Sequence, residues 1–248
     1  IIGLGQIGIY LYNELNLKKK EILIKTGRSI NIVAVSAKNR NKKRKFKINK
    51  KIFYRNPLNI IKDKEINILF ECIGKSDGIS KKIVEKAIKS KIHVITPNKA
   101  LISKHGDHLS KLAEKNKVNL EFEAAVAGGI PIIRVIKESL ITNTISKIYG
   151  ILNGTSNYIL SKMSESKSNF KDVLLNAKKL GYAESNPKDD LSGNDANSKI
   201  QILSSLAFNS LINKKNINVE GITMIDQIDI QNANLLGYKI KQLAIAEL

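Results

Sequence analysis

Residues 180–199 read Leu-Gly-Tyr-Ala-Glu-Ser-Asn-Pro-Lys-Asp-Asp-Leu-Ser-Gly-Asn-Asp-Ala-Asn-Ser-Lys. The stretch holds Glu184, Asp189, Asp190 and Asp195 in a chain with only 22 acids against 42 Lys and Arg. Gly181, Asn186-Pro187 and Gly193 supply turns between the acids. Asp195 and Lys199 stand four residues apart where a helix begins, so they share one face. A carboxylate can orient an amine for proton transfer to a substrate oxygen. The same spacing also describes an ordinary capped helix with a surface ion pair, and both readings stand on spacing alone.

A second constellation opens the chain. Gly3, Gly5 and Gly8 form G-x-G-x-x-G between an apolar strand and an amphipathic helix. The first glycine permits the tight turn, the second lets the backbone approach a pyrophosphate, and the third allows close helix–strand packing. The phosphates would sit on amides at the helix N-terminus, which includes Gln6 and Ile7. The second strand leads to Ser36-Ala37-Lys38-Asn39-Arg40, with no acid to hold a ribose hydroxyl. Lys38 and Arg40 would instead meet a 2′-phosphate, so NADP is expected, with NAD possible. Ile73 and Gly74 follow the third strand and are placed to line the cofactor, because ligands lie beyond the carboxyl ends of such strands. After the fourth strand, Pro97 stops the run, Asn98 is a candidate helix cap, and Lys99 stands at the mouth of the cleft. Cys72 and His93 read as structural residues in apolar strands, and His105 and His108 as surface positions on a helix.

The elements that carry these residues alternate. Strands are expected at 1–4, 30–35, 66–73, 92–96 and 118–123, with helices at 9–17, 80–90 and 101–116 between them. That alternation predicts a Rossmann-type, doubly wound parallel sheet over residues 1–124. An α+β substrate and dimerisation domain is expected over 125–248. Its helices are placed at 131–140, 156–164, 170–180 and 196–208, and its strands at 146–152 and 237–247. At the junction, Ala127-Gly128-Gly129 can bend carbonyls inward beside Glu123. That suits a small hard cation, and equally a structural hinge.

Composition narrows the classes. A chain of 248 residues with 42% hydrophobic content can bury a core, drawn from aliphatic side chains because aromatics are 5% and Trp is absent. The formal net charge of +20 raises nucleic acid as a partner. The basic residues are spread along the chain together with abundant Ile and Asn, and the aromatic and basic clusters of RNA-binding modules are missing, so no nucleic-acid role is expected. No apolar run reaches the about 20 residues of a membrane span, so no membrane role is expected. One cysteine allows no internal disulfide and fits a reducing, cytoplasmic setting. The chain opens on Ile-Ile-Gly without Met, so its natural start is expected to lie upstream and targeting stays open.

Taken together, the chain resembles homoserine dehydrogenase. The matching segments are residues 3–8, 96–100, Glu-Ala-Ala-Val-Ala-Gly-Gly-Ile-Pro at 123–131, Gly-Ile-Leu-Asn-Gly-Thr-Ser-Asn-Tyr-Ile at 150–159, and 180–199. They fall in the family's order over about four-fifths of the chain. The resemblance implies NAD(P)-dependent interconversion of aspartate semialdehyde and homoserine. It implies that Lys199 donates and accepts the proton at the reacting oxygen, with Asp195 assisting. Glu184 and Asp190 hold the substrate's ammonium group, Thr155 and Tyr182 belong to the substrate site, and Lys99 contacts the nicotinamide. Glu123 with the backbone carbonyls of Val126, Gly128 and Ile130 binds a monovalent cation, usually sodium. Family members are homodimers and continue well past residue 248, so the chain is read as a fragment. A different NAD(P) oxidoreductase, a nucleic-acid binder and an inactive relative are the competing readings.

Overall fold

The glycine turn at the start of the chain runs straight into the first helix, α1 (Gln6–Leu17), which buries Gly8, Ile9 and Tyr12. A second helix, α2 (Lys19–Thr26), ends at Gly27, whose φ of 68° closes it in the left-handed conformation. Then follow β1 (Ile68–Phe70), α3 (Ile79–Lys89), β2 (His93–Ile95), α4 (Lys99–Asn116) and β3 (Leu120–Glu121). In α3 the buried Ile83, Val84, Ala87 and Ile88 make the helical stripe that the spacing predicts. The computed structural model describes residues 1–63, 65–212 and 216–248. They form two units, Ile1–Ile132 and Ile133–Leu248.

In the first unit β1, β2 and β3 pair in parallel, with Leu69 beside Val94 and Val94 beside Leu120. Ile2 bridges in parallel to Ser36 on one side and Glu71 on the other, and Val35 bridges to Phe53. Counted in chain order, the parallel array runs third, second, first, fourth, fifth, sixth. This is the doubly wound order, and its reversal point lies between Ile2 and Glu71.

The expected strand at 30–35 shrinks to the bridges at Val35 and Ser36. The strand expected at 66–73 keeps only Ile68–Phe70 and the Glu71 bridge, and that at 118–123 keeps Leu120–Glu121. Short neighbours limit how far each ladder extends.

In the second unit, α5 (Ile132–Arg134) leads into a π-helical stretch, Val135–Ser139, closed by Leu140 N donating to Val135 O at 2.9 Å. The regular helix expected at 131–140 therefore has its hydrogen-bond reach lengthened by one residue over Val135–Ser139, half its length. Next come β4 (Lys147–Gly150), α6 (Gly154–Ser166), α7 (Phe170–Lys179), α8 (Lys188–Leu191), α9 (Asn194–Ala207), α10 (Gln227–Leu235) and β5 (Ala244–Glu247). β4 and β5 pair antiparallel, Ile148 beside Ala246. The strand expected over 237–247 is confined to its last four residues. Ile159, Leu160 and Met163 of α6 pack with Val173 and Ala177 of α7, and with Ile222 and Ile230. α9 lays Ala196 and Ile200 on the sheet face made by Ile148, Ala244 and Ala246. Among the described residues no helix is long and apolar enough to cross a membrane.

Candidate active site

The second unit gathers its polar groups at the mouth of α6. Asn153 precedes the helix with extended backbone, and its side-chain oxygen accepts Ser156 N at 2.7 Å. That capping bond fixes which way the amide faces. Its NH2 group therefore donates to Asp190 Oδ1 at 2.7 Å and to Asp195 Oδ2 at 2.8 Å. Ser156 Oγ donates to the Asp190 carbonyl at 2.9 Å and holds α8 against α6.

Gly193, in the left-handed region with φ 82°, starts α9 close under residues 219 and 220. A Cβ there would stand 2.8 Å from the Glu220 carbonyl, so the approach requires glycine. One turn into α9, Lys199 Nζ donates to Asp195 Oδ2 and to Leu152 O, both at 2.7 Å. Asp195 is 3% exposed and Lys199 18%. The pair is thus an interior one joined to a third side chain, and the surface-ion-pair reading fails.

Around this network, Thr155 Oγ1 donates to the Tyr182 carbonyl at 2.8 Å. The Tyr158 and Tyr182 rings stack with centroids 4.4 Å apart, which pins the turn after α7 onto α6. Glu184 lies exposed in that turn and is not drawn into the Asn153–Asp190–Asp195–Lys199 network, and Asp189 is exposed on α8. Asn153 is the residue that sequence reasoning passed over. Its signal was present: an Asn immediately before Gly-Thr-Ser at a helix start is a capping residue whose amide must face something.

In the first unit the glycines behave as the motif requires. Gly3 has φ 90°, and a Cβ on it would meet the Cys72 carbonyl at 2.4 Å. A Cβ on Gly8 would meet the Gly3 carbonyl at 1.9 Å. At Gly5 nothing lies within 4 Å, and Gln6 and Ile7 are exposed beside it. The open amide end of α1 thus faces free space, which a ligand's phosphates can fill.

Lys38 is exposed. Arg40 donates to Lys50 O at 3.3 Å and lies over the Phe53 ring at 5.7 Å. Arg44, not singled out from the sequence, reaches farther in. It donates to Leu4 O at 3.3 Å, to Lys42 O at 3.0 Å and to Asn39 O at 2.6 Å, and so ties the basic loop to the glycine turn.

At the ends of β1 and β2, Ile73 N donates to Glu71 Oε1 at 2.8 Å, Gly74 takes φ 86°, and Asn98 caps α4 by accepting Leu101 N at 3.1 Å. Lys99 is the first residue of that helix. His105 pairs with Asp77 at 2.9 Å and is only 15% exposed, so it is less of a surface residue than its position implied. Lys104 and then Ser76, by hydrogen bonds, hold the Asp77 carboxyl well below the usual range. His93, expected as a structural strand residue, is exposed and accepts Asn119 N at 3.0 Å.

Cys72 is half-buried, and burial, then the neighbouring Glu71 carboxylate, pushes its thiol up to about 11. At pH 8 its thiolate fraction is about a hundredfold below that of an ordinary cysteine. A disulfide reagent is therefore expected to label Cys72 about a hundredfold more slowly in the native protein than in urea. Equal labelling rates in the two states would contradict the burial.

Glu123 opens a 3₁₀ turn, Glu123–Ala125, and Ala127 (φ 48°) and Gly129 (φ 93°) then reverse the chain. The Ile130 carbonyl accepts Ile132 N at 2.8 Å and keeps a second lone pair. One carboxylate and several carbonyls on a strongly bent segment suit a hard cation by donor chemistry.

The family comparisons agree with this division of labour. The sequence profile described as "Homoserine dehydrogenase, NAD binding domain" matches residues 3–123, and that described as "Homoserine dehydrogenase" matches residues 131–248. The homoserine dehydrogenase of Neisseria gonorrhoeae is 42% identical over 99% of this chain and 56% of its own length. That of Pseudomonas aeruginosa is 40% identical over 99% of this chain and 56% of its own. The crystal structure of a homoserine dehydrogenase from Thiobacillus denitrificans superposes with a TM-score of 0.89 at 38% identity, covering 99% of this chain and 57% of that one. The chain thus spans a little over half the length of these relatives. Through both units, and over 99% of its length, the chain belongs to the homoserine dehydrogenase family.

Proposed function

We propose that the complete protein interconverts L-homoserine and L-aspartate 4-semialdehyde with a nicotinamide cofactor, in the biosynthesis of threonine, methionine and isoleucine. The observation that carries this is the buried Lys199–Asp195–Asn153 network, inside the segments that resemble the family. Oxidising an alcohol requires loss of a hydride and of a proton. The nicotinamide, when bound, accepts the hydride. Lys199 accepts the hydroxyl proton and returns it in the reverse direction. Asp195 and the Leu152 carbonyl accept two N–H bonds from Nζ, so in the oxidation direction the lone pair of the neutral amine faces the substrate hydroxyl and takes its proton, and in the reverse direction the third N–H of the ammonium returns it. Asp190, with one oxygen taken by Asn153, offers the other to the substrate's ammonium group, and Glu184 joins it. Thr155 and Tyr182 shape the wall beside them.

On the cofactor side, Gly3, Gly5, Gln6, Ile7 and Gly8 hold the pyrophosphate, and Ile73, Gly74 and Lys99 line the nicotinamide end. Lys38 and Arg40 meet a 2′-phosphate, so NADP is the preferred cofactor. Glu123 and the carbonyls of Val126, Gly128 and Ile130 hold a sodium ion, which steadies the bend after β3. The family resemblance supports a homodimer, and the lone Cys72 fits the cytoplasm.

The test is homoserine-dependent reduction of NADP+ and NAD+ by the complete protein. We expect kcat/KM at least about tenfold higher with NADP+, the gain of one charge-assisted contact to the extra phosphate. A preference for NAD+ would overturn the assignment of Lys38 and Arg40. No reduction with either cofactor would overturn the function.

A further inference from the structure

One buried group is left without a task by this reading. Glu71 is fully buried at the end of β1, beside Ile2, at the point where the strand order reverses. A carboxylate inside a parallel sheet is costly unless each oxygen is well bonded. Here Oε1 accepts Ile73 N at 2.8 Å and Ser80 Oγ at 2.7 Å. Oε2 accepts Thr96 Oγ1 at 2.7 Å and Asn98 Nδ2 at 3.2 Å. Thr96 Oγ1 in turn accepts Asn98 N at 3.0 Å. One side chain therefore gathers the turn after β1, the start of α3, the end of β2 and the cap of α4.

We propose that Glu71 is a positioning residue for the nicotinamide cofactor, acting through the Ile73–Gly74 turn and through Asn98, which sets the first turn of α4 and Lys99. The proposal rests on the reading of those residues as the cofactor's nicotinamide end. Packing alone would be met by an apolar side chain at this position. A carboxylate adds two fully accepting oxygens. A saturated buried network of this kind holds its members in a single arrangement.

The donor directions make the requirement sharp. Asn98 Oδ1 accepts Leu101 N, so Nδ2 is the donor, to Lys75 O at 2.9 Å, Ser80 Oγ at 3.1 Å and Glu71 Oε2 at 3.2 Å. Ile73 N is a donor by nature. A glutamine at position 71 would turn its NH2 group toward one of these two donors in either orientation, so one limb of the network has to open.

The measurement is NADPH affinity, followed by cofactor fluorescence, with the homoserine KM at saturating NADP+ and the melting temperature, on the complete protein. Glu71→Gln is expected to raise the NADPH Kd at least about tenfold, the effect of losing one hydrogen bond to a charged group. The homoserine KM should stay within about twofold, because the Lys199 network belongs to the second unit. A merely structural role would lower the melting temperature and leave the NADPH Kd unchanged well below it, which would overturn the proposal. So would an equal rise in both constants. If Glu71→Gln does not fold, Thr96→Val decides. It removes the donor to Glu71 Oε2 and the acceptor of Asn98 N, and is expected to raise the NADPH Kd at least about threefold, the effect of one net hydrogen bond or more; an unchanged Kd would overturn the proposal. Wild-type protein that fails to bind NADPH would overturn the functional reading itself. Wild-type binding with an unaltered variant overturns only the role of Glu71.

Discussion

Lys199→Ala is expected to lower kcat for homoserine oxidation by about 10²–10⁴-fold, the usual effect of removing a general acid–base group. The NADPH Kd should be unchanged, because the glycine turn, the basic loop and the Ile73–Gly74 turn all lie in the first unit. The local structure should survive the change. Asp195 keeps the Asn153 bond at 2.8 Å, and the α6 cap does not involve Lys199. The truncation leaves space beside a buried carboxylate, so Lys199→Met is a useful companion that fills the volume without a proton. Both variants should bind cofactor and both should be slow. Turnover near the wild-type rate in either would remove Lys199 from the chemistry and leave the Asp195–Lys199 pair with a structural role.

The second large effect is on the glycine turn. Gly8→Ala would put a Cβ 1.9 Å from the Gly3 carbonyl. Gly3 has little room to retreat. Its N–H donates to Ser36 O at 2.9 Å, and its own Cα side is already against the Cys72 carbonyl. Relief requires α1 to lift off the sheet, with loss of packing for Ile9 and Tyr12. A cost of about 3 kcal/mol is expected, at the upper end for overpacking. For a chain of this size that is a fall of about 6–12 °C in Tm.

Gly5→Ala is the control. Its backbone is extended, with φ −75° and ψ −161°, and a Cβ there meets nothing. Tm should be close to wild type, while NADPH binding weakens because the methyl group occupies the approach to the α1 amides. Thermal unfolding of both variants checks this. A Gly8→Ala protein as stable as Gly5→Ala would mean that α1 does not pack as described.

Much of the site was legible because side-chain chemistry and spacing coincide there. The four-residue interval between Asp195 and Lys199 placed them on one face, and the structure joins them at 2.7 Å. Asn98 after Thr-Pro read as a cap and is one. What spacing cannot supply is burial. The same interval fits a solvated pair, and only the approach of Asn153 from residues far away in sequence makes it an interior network. Glu71 was hidden for a related reason. Inside Ile-Leu-Phe-Glu-Cys-Ile it looks like one polar residue in an apolar strand, and its partners Ser80, Thr96 and Asn98 come from other elements.

Among the elements, α3 announced itself by its apolar stripe. In α2 no residue is buried, so no stripe existed to read. α10 buries only Ile230 and was not expected, and the capping box of Asp226 and Asp229 at its start is seen only in the structure. Of the expected strand at 30–35, the structure pairs only Val35, together with the following Ser36.

The proposed homoserine chemistry depends on Lys199. The most direct measurement is NADPH oxidation by the complete protein on addition of aspartate semialdehyde, with the product identified by mass spectrometry. NADPH is expected to fall mole for mole as homoserine appears, and Lys199→Ala to nearly abolish both. NADPH binding without semialdehyde-dependent oxidation, or a product other than homoserine, would contradict that chemistry.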